Sequence, residues 1–498
     1  MSCKSLGCWA ILIATWLLAL PLGCASAFAE ARQPNVILIN VDDLGWTDLG
    51  CFGSDYYETP HIDRLASGGM RFTDGYAACA VCSPSRAALM TGRYPARLGI
   101  TDWIRARFQG GEMPADGKNP GGYTTVQGRP LAVARNPLWM ELEEVTVAEL
   151  LKSAGYATCH IGKWHLGMDP WYPQHQGFDF NFGGCDYGQP PSYFDPFTNE
   201  QLPQGIPHLA GRRAGEYLAD READEAEMFI RQHAGEPFFL YLANYAVHTP
   251  IQGRPDLVAK YQAKAAGRNH RRADYAAMVE SVDQGVGQVL QVLDELSLTQ
   301  NTLIFFTGDN GGLLPITSNA PLKLGKGYAE EGGIRVPLIV CWPGRVPAGS
   351  TTHTPAIGVD MLPTICEAAG IELPGDRAID GVSLMPVLRE PSSALAREAL
   401  FWHFPHYRGE IAPYSVMRQG DWKLIRRYET GEHELYNLRH DLSESRNLAE
   451  TAADRVQSMS EKLDAWLAQV GAIVPRPKEE LTSRHPGTTK RPVTESCR

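Results

Sequence analysis

The 498-residue chain carries 46 basic against 57 acidic side chains, a formal net charge of −11, which excludes an extended polyanion-binding surface and, with it, nucleic acid as a partner. Its length suits one large domain plus a smaller one. The eight cysteines after Ala29 are too sparse for a disulfide scaffold, and Cys79 and Cys82 lack further Cys or His at a spacing that would complete a zinc set.

In chain order, Lys4, the apolar run 8–22 and Ala27-Phe28-Ala29 read as a signal peptide over 1–29, so the mature chain is expected to be exported to a periplasm or secreted. Leu22-Gly23-Cys24 also fits part of a bacterial lipoprotein site, and lipidation at Cys24 is the one route by which a membrane would enter. Four short, almost continuously apolar runs follow, at 36–41, 156–161, 238–243 and 303–307. Each is bounded by Gly, Pro or polar residues, the pattern of strands buried on both faces of a parallel sheet. Helical spacing over 144–153, 217–232, 275–296 and 360–369 alternates with them, which predicts an α/β fold: a mostly parallel central sheet with helices on both faces. The stretches 105–137 and 185–215 lack a regular pattern and read as pocket rims. Beyond Pro391-Ser392-Ser393, apolar-aromatic segments around Trp402, Val416, Leu424 and Leu435, then an amphipathic run over 452–470, predict a small antiparallel sheet with a packed helix. The Pro-, Lys- and Glu-rich segment 473–498 is expected to be a disordered tail.

Ligands of doubly wound sheets bind beyond the carboxyl ends of the strands, and all four apolar runs end in chemically capable residues. The first leads to Asp42-Asp43, the last to Asp309-Asn310. Adjacent carboxylates repel unless a cation sits between them, and an all-oxygen set favours Ca²⁺ or Mg²⁺ over zinc. The second run leads to Lys163 and His165, which alternation in an extended segment turns to one side. The third leads to His248, whose near-neutral titration suits it to protonate a departing oxygen. Lys326 stands between Gly325 and Gly327, which let backbone and ammonium approach an anion. Cys82-Ser83-Pro84-Ser85-Arg86 reads as a helix start, with Ser83 as cap and Pro84 in the first turn. Cys82 then lies where a helix dipole attracts an anion, with Arg86 one turn on.

The run Cys82-Ser83-Pro84-Ser85-Arg86, continued by Thr91-Gly92-Arg93, resembles the signature of the type I sulfatases, the formylglycine-dependent branch of the alkaline phosphatase superfamily. The resemblance extends through Asp43-Leu44-Gly45-Trp46, Tyr57 to Ala66, Gly162 to Gly167, Gly308 to Gly312, Lys326 and Gly420 to Ile425. It implies that a formylglycine-generating enzyme oxidises Cys82 during maturation. It further implies one calcium ion around Asp42, Asp43, Asp309 and Asn310 together with residue 82. Arg86 and His165 would hold the formylglycine, Lys163 and Lys326 the sulfate, and His248 would be the leaving-group acid. The catalytic domain would span 30–395 and the C-terminal α+β subdomain 396–472. The implied activity is hydrolysis of sulfate esters on a sulfated saccharide, with Trp103, Trp139, Asp186, Tyr187, Tyr193, His403 and His406 as candidate sugar contacts. A phosphodiesterase or phosphonate hydrolase of the same superfamily, or a non-catalytic glycan-binding protein on this scaffold, are the alternatives.

Overall fold

The computed structural model describes residues 33–209, 211 and 213–482. The predicted leader and Cys24 lie outside them. Eight strands form the main sheet, in the spatial order Ser350–Thr352, Met70–Phe72, Leu338–Cys341, Thr302–Gly308, Asn35–Val41, Phe238–Asn244, Ala157–Gly162 and Phe180–Phe182. The central strand Asn35–Val41 pairs in parallel with both Phe238–Asn244 and Thr302–Gly308. Leu338–Cys341 alone runs antiparallel to its two neighbours. This is the mostly parallel α/β sheet that the four apolar runs predict.

Continuous apolarity in those runs has a simple cause: both faces of the sheet are covered. Ile37, Ile39, Leu240, Leu242, Ile304 and Phe306 pack into one core, with helices Leu218–Gln232 and Ala273–Glu295. The alternate residues Val36, Leu38, Phe239, Tyr241, Leu303 and Phe305 pack into a second core, with helices Cys82–Thr91, Val147–Ser153 and Met361–Ala369. Each such side chain contributes about 1.5–3 kcal/mol by leaving water.

The C-terminal segment forms the four-stranded antiparallel sheet Leu400–Phe404, Tyr414–Gln419, Trp422–Arg427 and His433–Asn437. Helix Ala453–Gln469 packs on it through Met459, Leu463 and Trp466. This sheet braces the chemistry directly. Trp402 donates from Nε1 to the Ala77 carbonyl at 2.8 Å, just ahead of Cys82, and the Tyr414 hydroxyl donates to the Gly327 carbonyl at 3.1 Å, beside Lys326.

Two expectations need correction. Residues 473–482 are not a structureless tail: Arg476–Pro477 pairs with Ala132 and Leu131, and the Arg476 guanidinium covers the Tyr123 ring at 4.0 Å. The segment 105–137 likewise holds two paired strands, Tyr123–Thr125 and Leu131–Ala134. Composition alone did not reveal this three-stranded sheet, because its partners lie some 340 residues apart in the chain. Among the described residues no helix is long and apolar enough to cross a membrane.

Candidate active site

Parallel register carries the strand ends to one place. Val41 lies opposite both Asn244 and Gly308, and Gly162 lies opposite Ala243. Backbone bonds extend the alignment past the strands, from Asp42 N to Ala246 O at 3.0 Å and from Lys163 N to Ala243 O at 2.7 Å. Asp42-Asp43, Asp309-Asn310, Lys163 and the turn bearing His248 therefore converge. Asp43 and His165 both adopt left-handed backbone, φ 60°, a strained geometry for non-glycine residues that clusters at functional sites.

Helix Cys82–Thr91 aims its N-terminus at this cluster, and every residue in it is buried. Gly92 ends it in a left-handed cap, where a Cβ would press on Leu362 at 3.1 Å. Ser83 is not the cap, which falls at Val81; its hydroxyl instead accepts the Ile104 N–H at 2.9 Å. The local pattern of a capped helix was legible, but the competing partner comes from a distant segment.

Ion pairs knit the centre. Lys163 Nζ contacts Asp42 Oδ2 at 2.6 Å, Lys326 Nζ contacts Asp43 Oδ1 at 2.5 Å, and Arg86 contacts Asp309 Oδ2 through Nε at 2.9 Å and Nη2 at 2.8 Å. Arg86 also donates to the Lys163 carbonyl at 2.7 Å. Asn310 Nδ2 donates to Asp43 Oδ1 at 2.8 Å. His248 Nε2 stands 3.6 Å from Asp43 Oδ2, while its Nδ1 meets the Thr249 carbonyl at 2.9 Å. The Cys82 sulfur and carboxylate oxygens of Asp42 and Asp309 lie within 4.8 Å of one another, and so do ligand atoms of Asp42, Asp43 and His248. All ten sequence-derived site residues thus fall in or against one buried cluster, with His165 at its edge, bonded through Nε2 to the Ile104 carbonyl at 2.7 Å.

Burial and the Asp309 charge push Asp42 well above the usual carboxylate range, whereas Asp43, although buried, is held low by Lys326, His248 and Lys163. Burial and Lys326 depress His248 to about 3, partly offset by Asp43, which corrects the near-neutral titration expected of it from the sequence. Burial, Lys163 and Arg86 lower His165 as well. Asp43 raises Lys326 against its own burial.

The chemistry of the donor set suits a hard cation. Asp42 Oδ1, Asp43 Oδ2 and Asn310 Oδ1 are buried oxygens with no hydrogen-bond partner. Unpartnered buried oxygens are costly, and three at one strand-end cluster are what an oxygen-seeking divalent ion satisfies.

Comparison with known proteins gives the family. The family model described as Sulfatase matches residues 34–371, and that described as N-sulphoglucosamine sulphohydrolase, C-terminal, matches 324–471. The chain belongs to the sulfatase family. Arylsulfatase A of Homo sapiens is 31% identical, over 96% of this chain and 98% of its own. A sulfatase of Formosa agariphila is 34% identical over 91% and 94%. The crystal structure of Ps i-CgsB superposes with a TM-score of 0.73 at 32% identity, covering 88% of this chain and 93% of that one. This sulfatase is a sulfuric ester hydrolase.

Most candidate sugar contacts prove structural. Trp139 is buried and stacks on Trp171 at 4.1 Å. His403 is buried between Ser415 Oγ and the Ile473 carbonyl. The Tyr193 hydroxyl donates to the Tyr245 and His248 carbonyls at 2.7 and 2.9 Å, so it fixes the His248 turn rather than a substrate. Asp186 accepts the Arg107 N–H, and Tyr187 accepts from Gln204. Trp103 and His406 do line a cavity, of about 390 Å³. A larger one, about 710 Å³ between 351–355 and 390–400, holds none of the clustered residues, so size does not mark the site. Sequence reasoning missed Glu222, which accepts from Asn244 Nδ2 at 2.8 Å and Tyr245 N at 3.2 Å and thereby supports the turn toward His248. An acid within an amphipathic helix gives no signal of that contact.

Proposed function

We propose that this sulfatase hydrolyses sulfate esters of saccharides, with Cys82 converted to formylglycine and calcium bound at the strand ends. The observation that carries the reading is the Cys82 sulfur within 4.8 Å of Asp42 and Asp309, at a helix N-terminus. Once converted to the hydrated aldehyde, residue 82 would supply one hydroxyl for attack on sulfur and a second whose ionisation would release sulfate. Asp42, Asp43, Asp309, Asn310 and residue 82 would hold the calcium, which would supply positive charge toward the sulfuryl oxygens.

The chain's own groups do the rest. The carboxylates of Asp42, Asp43 and Asp309 are met by Arg86, Lys163 and Lys326. Lys163 and Lys326 reach into the cluster from separate segments and hold the sulfuryl oxygens, so that charge built up at sulfur meets fixed cations. Arg86 orients residue 82 from one helical turn away, and His165 flanks it. His248 faces the leaving oxygen through Nε2 while Nδ1, donating to the Thr249 carbonyl, fixes the ring; with His248 depressed to about 3, the ammonium of Lys326, raised by Asp43, gives the leaving oxygen its proton.

The saccharide part draws on relatives. N-acetylgalactosamine-6-sulfatase of Homo sapiens is 35% identical over 79% of this chain and 72% of its own, and Ps i-CgsB has been solved with a neocarrahexaose. Segments 105–137 and 185–215 select the sugar and favour a terminal residue. Gly188 of the second lies directly against the His165 ring. Export through the 1–29 leader places the enzyme where such glycans are met. The test is kcat/KM on sulfated galactose, N-acetylgalactosamine, glucosamine and uronate saccharides beside an aryl sulfate. At least one saccharide is expected to exceed the aryl sulfate; an aryl sulfate turned over best, with no saccharide desulfated, overturns the saccharide assignment.

A further inference from the structure

We infer that the cavity beside the sulfate-binding cluster reads a second anionic group on the substrate, a sulfate or a carboxylate, through Arg105, which lines it, and Arg408, next in the chain to the lining residue Tyr407. The inference rests on the saccharide-sulfatase reading above and deepens it.

The cavity, about 390 Å³, is lined by Asp102, Trp103, Arg105, Arg135, His406 and Tyr407 among others. That volume lies within the ~300–1,000 Å³ common for small-ligand sites. Its floor is tied to the chemistry at two points. Ile104 N donates to Ser83 Oγ at 2.9 Å, next to Cys82, and Ile104 O meets His165 Nε2 at 2.7 Å. Trp103 and Arg105 flank that anchor, and the Arg105 guanidinium lies 5.8 Å from the Trp103 ring centroid. The Asn136 side chain accepts from Thr101 N and Asp102 N and donates to the Asp102 and Trp103 carbonyls, fixing the neighbouring Arg135 to the same wall.

Arg408 arrives from the C-terminal sheet. Its backbone pairs with Ile411 in a tight reversal, and its side chain crosses Gly327, where a Cβ would lie 3.7 Å from Arg408 Cδ. Lys326 is the adjacent residue. Arg408 Nη1 is buried and has no hydrogen-bond partner.

Many guanidinium groups meet carboxylates, as in Arg93–Glu144, Arg97–Asp380 and Arg397–Asp360. Among the described residues Arg105, Arg135 and Arg408 have no carboxylate within ion-pair distance. The one acid lining the cavity is Asp102; burial raises it to about 6, and Arg408 and Arg105 both oppose that rise, so all three charges lie close together. Two guanidinium groups beside one carboxylate leave positive charge uncompensated, in a chain whose net charge is −11. Guanidinium groups pair in planar, two-pronged fashion with sulfate or carboxylate oxygens, and an anion there relieves their mutual repulsion.

The experiment compares three disaccharides that share the scissile sulfate. One is otherwise neutral, one carries a second sulfate, and one carries a uronate carboxylate. Binding is measured by calorimetry on Cys82→Ala protein, and kcat/KM on the mature enzyme. At least one doubly anionic ligand is expected to bind and react about tenfold better than the neutral one. Arg408→Ala and Arg105→Ala are expected to erase that preference, chiefly through KM, and Arg408→Ala to do so while changing kcat/KM on the neutral disaccharide less than about threefold. Arg408→Lys should restore part of it. The two arms tell sulfate from carboxylate as the second group. Equal binding of all three ligands overturns the inference, as does a preference that survives both Arg→Ala changes. Preferential binding without turnover would overturn the proposed function and leave the inference standing.

Discussion

Lys423 is the clearest place to test how the C-terminal sheet supports the catalytic loop. Its ammonium is fully buried between Glu331 Oε1 at 2.9 Å and Glu444 Oε1 at 2.8 Å. Glu444 Oε2 in turn accepts the Glu331 N–H at 2.7 Å, where the segment carrying Lys326 enters helix Glu331–Ile334. Lys423→Met keeps the length of the side chain and removes the charge. Arg335, 3.1 Å from Glu331 Oε2, still compensates Glu331, so the uncompensated group is chiefly Glu444. Breaking a buried pair on one side costs about 3–5 kcal/mol. With an unfolding entropy of roughly 2 cal/mol/K per residue, a chain of this size loses about 1 °C in Tm per kcal/mol, so the melting point should fall by about 3–5 °C. The pH dependence adds a signature. Glu331 is buried, yet Lys423, Arg335 and Arg418 hold it down at about 2, so its contribution is present above its ordinary 4.5 and is lost on acidification toward 2. Burial outweighs Lys423 at Glu444 and raises it to about 7, so its contribution is present below 4.5 and is lost as pH climbs through 7. Removing Lys423 raises both carboxyls further, which makes the deficit larger at pH 8 than at pH 5. Adding Glu444→Gln should recover about half the loss. Calorimetric melting at the two pH values is the assay. A Tm change below 1 °C, or a deficit larger at pH 5, would refute the reasoning.

Cys82→Ala should retain less than about a hundredth of wild-type kcat with an unchanged melting curve, since loss of the nucleophile costs several kcal/mol of barrier; a higher residual rate contradicts its role. Exhaustive chelation should lower activity, with Ca²⁺ restoring it better than Zn²⁺, and full activity in demonstrably metal-free enzyme would count against the calcium assignment. Asp283, which accepts the His61 and Ile62 N–H groups, is raised to about 7 by burial. Its contribution is therefore complete below its ordinary 3.8 and is lost as pH rises through 7, so Asp283→Asn should flatten the stability decline between pH 4 and 8 measured by urea unfolding.

Much of the centre was legible because a buried parallel strand leaves a plain mark: an apolar run that stops at a polar residue. Asp42, Lys163, His248 and Asp309 each follow such a run within a few residues, and sheet register then fixes their convergence. Residues placed by long-range packing left no such mark. Arg408 sits in a turn between two C-terminal strands, and nothing local tells that Gly327 leaves it room beside Lys326. Tyr193 reads equally well as a sugar platform or as a brace, and its two carbonyl partners make it a brace. Ser83 has the chemistry of a cap but is taken by Ile104. The pairing of Arg476 with Ala132 could not be read from a Pro-rich, charged segment whose partner lies in another irregular stretch.

Mass analysis of the peptide containing Cys82, coupled to turnover of the same preparation, tests the central claim most directly. The account predicts the mass of an aldehyde in place of the thiol, with sulfate release proportional to the converted fraction across preparations made with and without the formylglycine-generating enzyme. Full sulfatase activity in protein whose residue 82 is entirely unmodified cysteine would contradict it.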